Sequence, residues 1–495
     1  MELKKILVGI DGIKAKGDLD IDITNLESDS RKITKGGLFV AIKGFESNGN
    51  DYIKAAIKNG AIAVMAEPDI DKELLKLIIK YVTVIVVPDT RLGLAIGACN
   101  FYDNPSRKLK LIGITGTKGK TTTSFMTKKI LEKQGMKVGL IGTIATYIGD
   151  KKLEDSDRTT PESNKLQSLF AQMVEEKCDA VVMEVSSQSL KLNRVAGCDF
   201  DIAVFTNFSE DHISPKEHPD MKDYFESKLK LLKMSKVSFV NADDLMVAKV
   251  PKMLPDAKIS TYGIDNFCSL LAKDITITNS YVDFKVKVET KNERVKVCIP
   301  GRFSVYNALA AISIAKELHC TTENVKAALE EVRVPGRSEL VDNKRELTIM
   351  IDYAHSPESL ENILSAVKSY TRGRLISVFG CGGDRDSGKR PLMGEISGRI
   401  ADYTFITSDN PRTEEPEKIA RQIEQGMKKT NGKYEVVVDR TEAIEKAIKM
   451  ANKRDIIVLA GKGHEPYQEI NGKKFPFDER IIVNDIIEKL DEKKK

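Results

Sequence analysis

LKLIGITGTKGKTTTSFMTKKILEKQG, Leu109 to Gly135, is the stretch whose reading decides the fold. Its apolar, partly β-branched opening predicts a buried strand, and its end a helix with Phe125, Met126, Ile130 and Leu131 turned inward and Gly135 as the stop. Between them lie Gly116, Thr117, Lys118, Gly119, Lys120, Thr121 and Thr122. A strand, a glycine turn and a helix start make an anion seat: unpartnered backbone N–H groups point into the turn, the helix dipole adds positive potential, and glycine lets the backbone approach a polyphosphate. Lys120 supplies mobile charge for β- and γ-phosphates, and the Thr121 hydroxyl is a ligand for Mg²⁺. The strict phosphate-loop pattern wants glycine where Ile114 stands, so what remains is the shorter G-T-x-G-K-T. The bland alternative is a tight glycine turn capping a Rossmann-type helix, which leaves the adjacent Gly-Lys-Thr without a packing reason.

Working outward, 495 residues are too many for one core and predict about three domains. Lys and Arg number 78 against 73 Asp and Glu, without a long basic block, which argues against nucleic-acid binding. No apolar run reaches membrane-spanning length, and the segment before Asp11 is too short for a signal sequence. The seven cysteines are spread out and never form CxxC, as expected of reduced thiols in a cytoplasmic protein.

Up to Arg107 the pattern is a small α/β unit, with strands at 37–42, 61–66 and 82–87 and a helix at 51–59. Its polar clusters, Ser28-Asp29-Ser30-Arg31 and Gly44-Phe45-Glu46-Ser47-Asn48-Gly49, read as turns when taken alone. From 108 to 335 strand–helix alternation predicts a mainly parallel sheet with helices on both faces. Its strands are expected at 137–142, 179–185, 201–206 and 237–241, followed by an antiparallel edge hairpin turning at Thr290-Lys291-Asn292 and two helices near 305–318 and 322–332. From 336 to 495 a third, Rossmann-like α/β portion follows. Ligands of such sheets collect at the carboxyl ends of strands. There stand Glu184 with Ser186, Asn207 with His212, Asp352 to His355, Gly380 to Arg385, Asp409 to Arg412, and Gly461 to Glu465. Three of the five histidines follow such strands, which suggests one composite cleft. Glu184 reads either as a hard-cation ligand or as a satisfied cap or salt bridge.

On these residues the chain resembles the Mur ligases, the ATP-dependent amide-bond-forming family of peptidoglycan precursor synthesis. The motifs are Gly-Thr-Lys-Gly-Lys-Thr (116 to 121), Thr159-Thr160-Pro161, Glu184-Val185-Ser186-Ser187, Asn207 with Asp211-His212, Tyr224 to Lys228, Tyr306-Asn307, Gly336-Arg337 and Asp352 to Pro357, and they run through all three portions. Asp29-Ser30-Arg31, Gly380 to Asp386, Asp409-Asn410-Pro411-Arg412 and Gly461 to Glu465 are most similar to the branch that adds the third residue of the stem peptide. There the Asp-Asn-Pro-Arg form goes with meso-diaminopimelate, whereas lysine-adding relatives usually lack the arginine. As bare sequence it is a proline turn. The charge argument agrees, since a guanidinium attracts diaminopimelate's second carboxylate and repels the lysine ammonium.

The resemblance implies ligation onto the D-glutamate of UDP-N-acetylmuramoyl-L-alanyl-D-glutamate through an acyl phosphate. It implies catalytic Lys120, His212 and Lys228, with Lys228 carbamylated by CO₂. Thr121, Glu184, His212 and that carbamate would hold Mg²⁺, and the phosphate loop with Asn307, Arg337 and Asp352 would hold ATP. Ser28, Ser30, Phe45, Glu46 and Ser47 would bind the UDP end, Thr159, Thr160, Ser186 and Arg194 the peptide, and Arg385, Asp409, Asn410, Pro411, Arg412, Gly461 and Glu465 the amino acid. Only small-molecule partners are implied, with no nucleic acid or membrane insertion, and a monomer. Lysine or another diamino acid, a folylpolyglutamate synthetase-like ligase, and a nucleotide-dependent switch are the alternatives. The domain before Arg107 argues against the second, and the polar strand ends after Asp352 against the third.

Overall fold

The strand Lys110–Thr115 sits in the middle of a mainly parallel sheet, with every residue after Lys110 buried. In this computed structural model, residues 1–45, 47–211, 213–214, 217–288 and 291–492 are described. By internal packing the chain falls into two units: Met1–Leu270 with Ala310–Thr321, and Leu271–Leu309 with Thr322–Lys495.

The first unit contains two sheets. The N-terminal one runs Lys14–Lys16, Thr83–Val86, Ala61–Ala66, Gly37–Val40, Leu26–Glu27, parallel apart from the first strand. In the larger one Ile259–Gly263, Ser235–Asn241, Phe200–Phe205, Lys110–Thr115, Ala180–Glu184 and Val138–Ile141 lie parallel in that order. Two strands absent from the sequence reading, Ala145–Ile148 and Lys151–Asp155, extend it antiparallel. The second of these is charged and half exposed, so it lacks the apolar alternation that marks a strand. The helix Lys120–Lys133 follows the central strand, and Gly135 ends it at φ +91°. Met126, Ile130 and Leu131 are buried, but Phe125 is only half-buried, set edge-on against Tyr147 at 6.0 Å, which corrects its assignment to the inner face. The two sheets' layers meet through side chains: Asn164 Nδ2 donates to Glu27 Oε2 at 2.8 Å, and Asn193 Nδ2 to Asp89 Oδ2 at 3.0 Å.

The second unit is built on a six-stranded sheet in the order Glu339–Leu340, Thr348–Asp352, Ile456–Ala460, Leu375–Phe379, Tyr403–Ile406, Tyr434–Val436, parallel apart from the first strand. Its central strands are buried on both faces, between one cluster around Leu364, Phe379 and Met393 and another around Ile376, Phe405 and Ile444. The strands Val282–Val288 and Lys291–Val297 pair antiparallel as the predicted hairpin, with the further strand Leu270–Ile277 antiparallel beside Val282–Val288, but Lys291 and Asn292 already belong to the last strand, opposite Val288 and Lys287. Thr290, placed with them in the turn, lies outside the described residues. A further hairpin, Tyr467–Ile470 with Lys473–Pro476, turns at Asn471-Gly472, both with positive φ. The fold class is α/β, as read from the sequence. Among the described residues no helix is long and apolar enough to cross a membrane.

Candidate active site

In the first unit the loop after Lys110–Thr115 is held shut by its neighbours. Gly116 has φ +143°, and a Cβ there would lie 1.9 Å from Thr206 Oγ1, so only glycine fits. Gly119, φ +84°, begins the helix, with no side chain capping its first turn. Asn207 braces the loop: its Oδ1 accepts from Lys118 N at 2.8 Å and its Nδ2 donates to Lys118 O at 3.1 Å. Lys118 Nζ reaches Asp211 at 3.1 Å, and the Thr117 hydroxyl meets Tyr224 OH at 3.1 Å. Lys120 Nζ donates to Gly116 O and Thr117 O at 2.8 and 3.0 Å. Thr122 is buried in the first helical turn.

Glu184, at the carboxyl end of Ala180–Glu184, is 1% exposed. Its Oε2 accepts from the hydroxyls of Thr121 at 2.9 Å and Thr143 at 3.0 Å, and its Oε1 from Thr143 N at 2.8 Å. A buried carboxylate surrounded by neutral donors has unmet demand for positive charge. With two hydroxyl oxygens beside it, the set suits a hard divalent cation that prefers oxygen. Thr143 was missed in the sequence; its position after the strand Val138–Ile141, by the rule of strand ends, was the available signal.

Lys228, 1% exposed on the helix Met221–Lys233, donates from Nζ to Gly116 O at 2.9 Å and lies 4.4 Å from the Tyr224 ring centre. Burial, with the charges of Lys120 and Lys118 added to it, drives its pKa well below the ordinary lysine range; Asp211 opposes this only in part. In sequence Lys228 stands as one more helix lysine whose role comes only from the resemblance, and nothing local announces that it is buried. His212 and Glu46 lie outside the described residues. His218 is fully buried with both ring nitrogens engaged, Nδ1 2.6 Å from Asp223 and Nε2 2.9 Å from Ser187 Oγ.

Beside Glu184, Thr160 Oγ1 donates to Glu184 O at 2.8 Å and accepts from Ser186 N at 3.0 Å, while Thr159 Oγ1 lies 3.1 Å from Thr143 Oγ1. Arg194 is buried against Thr160 O at 3.3 Å and Glu162 at 3.0 Å. Ser186 caps the short helix Ser187–Lys191. Ser28 and Ser30 flank Asp29, which caps the turn Ser30–Lys32; Ser47 O accepts from Gly44 N at 2.9 Å, and Phe45 is exposed. The first unit therefore gathers Lys118, Lys120, Thr121, Thr159, Thr160, Glu184, Ser186, Arg194 and Lys228 at the carboxyl ends of its central strands.

In the second unit the strand ends carry another cluster. Asp352 accepts from Ser338 N at 2.8 Å and Ala354 N at 3.0 Å, and Arg337 lies over the Tyr353 ring at 4.8 Å. Asn307 is buried on the helix Arg302–Glu317. Asp409, Asn410 and Pro411 are buried after Tyr403–Ile406. Gly383 approaches this segment so closely that a Cβ would fall 1.9 Å from Pro411 O. Asn410 has a fixed amide: Oδ1 accepts from Lys462 Nζ at 3.0 Å and Glu469 N at 2.9 Å, and Nδ2 donates to Glu465 Oε2 at 2.8 Å. Gly461 holds φ +115° against Asp409, whose Oδ2 would be 2.3 Å from a Cβ. Burial raises the Glu465 pKa and lowers that of Lys462. Arg412 stays beside them, with Nη1 donating to Gly383 O at 2.8 Å, whereas Arg385 is exposed and makes no hydrogen bond or ion pair among the described residues.

Three family models match the chain: Mur ligase family, catalytic domain, over residues 22–102; Mur ligase middle domain over 114–315; and Mur ligase, glutamate ligase domain, over 336–463. The chain belongs to the Mur ligase family, ATP-dependent enzymes that form amide bonds. It is 50% identical over 491 residues to the UDP-N-acetylmuramoyl-L-alanyl-D-glutamate–2,6-diaminopimelate ligase of Caldanaerobacter subterraneus subsp. tengcongensis, spanning 98% of this chain and 99% of the relative. It is 47% identical over 493 residues to ligase 1 of the same name from Clostridium acetobutylicum, spanning 99% and 100%. A solved structure of a UDP-N-acetylmuramoyl-L-alanyl-D-glutamate–2,6-diaminopimelate ligase matches with a TM-score of 0.72 at 29% identity, over 99% of each chain.

Proposed function

We propose that this chain joins meso-diaminopimelate to the D-glutamate of UDP-N-acetylmuramoyl-L-alanyl-D-glutamate, using ATP and releasing ADP and phosphate, as a cytoplasmic monomer. Its working domains are residues 1–107 for the UDP end, 108–335 for ATP and the peptide, and 336–495 for the amino acid. The observation that carries the amino-acid assignment is the placing of Arg412 and Glu465 around Asn410, opposite charges at fixed positions for a substrate end bearing both a carboxylate and an ammonium. The names of the two relatives support the same substrate.

A carboxylate in water resists attack and has no good leaving group. Transfer of the γ-phosphoryl to the D-glutamate carboxylate gives an acyl phosphate. The incoming amine then forms the C–N bond, the C–O bond to phosphate breaks, and the amine gives up a proton. Phosphoryl transfer needs mostly positioning and charge stabilisation. Lys120 and the loop N–H groups are the residues that supply these, with Asn207 keeping the loop in place. Thr121 and Glu184, with His212, would hold Mg²⁺, which when bound spreads the phosphate charge. Lys228 has the burial expected of an amine held neutral, the form that CO₂ carbamylates, and as a carbamate it would become an anionic oxygen donor. Thr159, Thr160, Ser186 and Arg194 orient the peptide, Ser28, Ser30, Phe45, Glu46 and Ser47 the UDP end, and Asn307, Arg337 and Asp352 the nucleotide. Arg385, Asp409, Asn410, Pro411, Arg412, Gly461 and Glu465 receive the amino acid.

The test is phosphate release by the purified chain with ATP, Mg²⁺, the UDP-muramoyl dipeptide and single amino acids. Release that requires both the dipeptide and meso-diaminopimelate is expected. Release with L-lysine in its place would overturn the specificity, and release with neither would overturn the ligase assignment.

A further inference from the structure

The segment Asp409–Arg412 is held by an element outside every motif of the site, the hairpin Tyr467–Ile470 and Lys473–Pro476. Arg412 has φ +50°, a left-handed backbone that costs energy for a side chain other than glycine and persists where neighbours fix it. Here the fixing groups belong to the hairpin: Arg412 N donates to Glu469 O at 3.0 Å, and Asn471 N donates to Arg412 O at 2.7 Å. The Glu469 side chain then takes the guanidinium from one edge, with Oε2 accepting from Arg412 Nε at 3.1 Å. Glu469 N donates to Asn410 Oδ1 at 2.9 Å, so one residue fixes two of the segment's three polar members. With Nε on Glu469 and Nη1 on Gly383 O, the Nη2 end of Arg412 has no partner among the described residues. Glu469 is half-buried, and charge-assisted contacts of this kind are stronger than neutral ones.

We infer that Glu469 is a positioning residue for amino-acid selection: it pins Arg412 by the Nε edge so that the Nη2 end is presented to the distal carboxylate of the diamino diacid. The inference rests on the substrate reading proposed above. Without Glu469 the arginine keeps its charge but loses its direction. Binding of the amino acid then weakens while the steps on ATP and the dipeptide are untouched.

The experiment measures steady-state constants of the full-length chain for ATP, the UDP-muramoyl dipeptide and meso-diaminopimelate in the wild type, Glu469→Gln, Glu469→Ala, Arg412→Ala and Arg412→Ala/Glu469→Ala. The expected result is a rise of about tenfold in KM for meso-diaminopimelate in Glu469→Ala, smaller in Glu469→Gln, which keeps a neutral acceptor. KM for the other substrates and kcat should stay within about twofold. In the Arg412→Ala background, removing Glu469 should add nothing. If Glu469→Ala does not fold, Glu469→Gln, which preserves shape, carries the test by the same split. Unchanged KM for meso-diaminopimelate in the folded variants, or an equal rise for all three substrates, overturns the inference while leaving the substrate reading intact. A wild type that does not use meso-diaminopimelate overturns the substrate reading and the inference with it.

Discussion

Gly116 O accepts from both Lys120 and Lys228, so the phosphate loop has two amines on one carbonyl, one exposed to the site and one sealed beneath it. Their substitution should separate. Lys120→Ala removes the mobile cation and is expected to lower ATP turnover by roughly 10²–10³-fold, as loss of one transition-state donor does elsewhere, with little change in thermal stability. Lys228→Met should also remove turnover, but for a different reason and with a gain in stability. The fold holds this amine neutral at pH values where the unfolded chain protonates it, so the unfolded state binds more protons and stability rises with pH through that interval. Below the interval's upper end the buried amine costs stability, and methionine removes the cost while Gly116 O keeps its bond to Lys120. A urea midpoint for Lys228→Met at or below that of the wild type in CO₂-free buffer at pH 7 would contradict this. Added bicarbonate should raise activity of CO₂-depleted wild type and leave the variant unchanged.

At the scale of elements, the helices Lys389–Ile400 and Pro416–Met427 are joined by a buried guanidinium. Arg390, fully buried, gives Nη1 to Glu414 Oε2 at 2.9 Å and Gln422 at 2.6 Å, and Nη2 to Glu414 Oε1 at 2.8 Å and Gly382 O at 3.1 Å. This pairing lowers the Glu414 carboxyl to about 2. The folded value is depressed, so the contribution is complete above the ordinary glutamate range and is lost as pH falls toward 2. Glu414→Gln should lower stability by about 2 kcal/mol at pH 7 and lessen the acid sensitivity of unfolding between about pH 4.5 and 2, measured by urea titrations at fixed pH. Such an anchor could not be read from sequence, because Arg390 stands in the first turn of one helix and Glu414 in the bend before another, 24 residues away, and the packing of the two helices is decided by the sheet. The strands carrying the site were legible, since Ala180–Glu184 or Ile456–Ala460 are short apolar runs ended by polar residues. The segment from Ala145 to Asp155 was not, because its pairing at a sheet edge leaves one strand charged. The hairpin that holds Arg412 was not read either: Asn471-Gly472 is a hairpin turn signal, but Tyr467–Ile470 and Lys473–Pro476 on its two sides lack the alternation that marks strands.

For the molecule as a whole, the residues proposed for the UDP-muramoyl dipeptide and for the amino acid divide between the two units, whereas those proposed for ATP stand in both. Ser28, Ser30, Thr159, Thr160, Ser186 and Arg194 belong to the first, Asp409 to Arg412, Gly461 and Glu465 to the second. A ligand that binds only the folded form stabilises what it touches, by about 2.7 kcal/mol at a hundredfold excess over Kd. Each substrate should therefore leave its own print in amide hydrogen exchange. The UDP-muramoyl dipeptide is expected to slow exchange around 28–32, 159–162 and 184–190, and meso-diaminopimelate around 407–412 and 461–471. The loop from Gly116 to Lys120 should respond to ATP with Mg²⁺ and not to the amino acid. The segment around Glu469 supplies the sharpest discrimination, because it lies outside the motifs by which the chain resembles its relatives. Protection there by meso-diaminopimelate, and its loss in Arg412→Ala, would tie the hairpin to amino-acid binding through the arginine it holds. Slowing by the dipeptide alone would place the amino-acid pocket elsewhere.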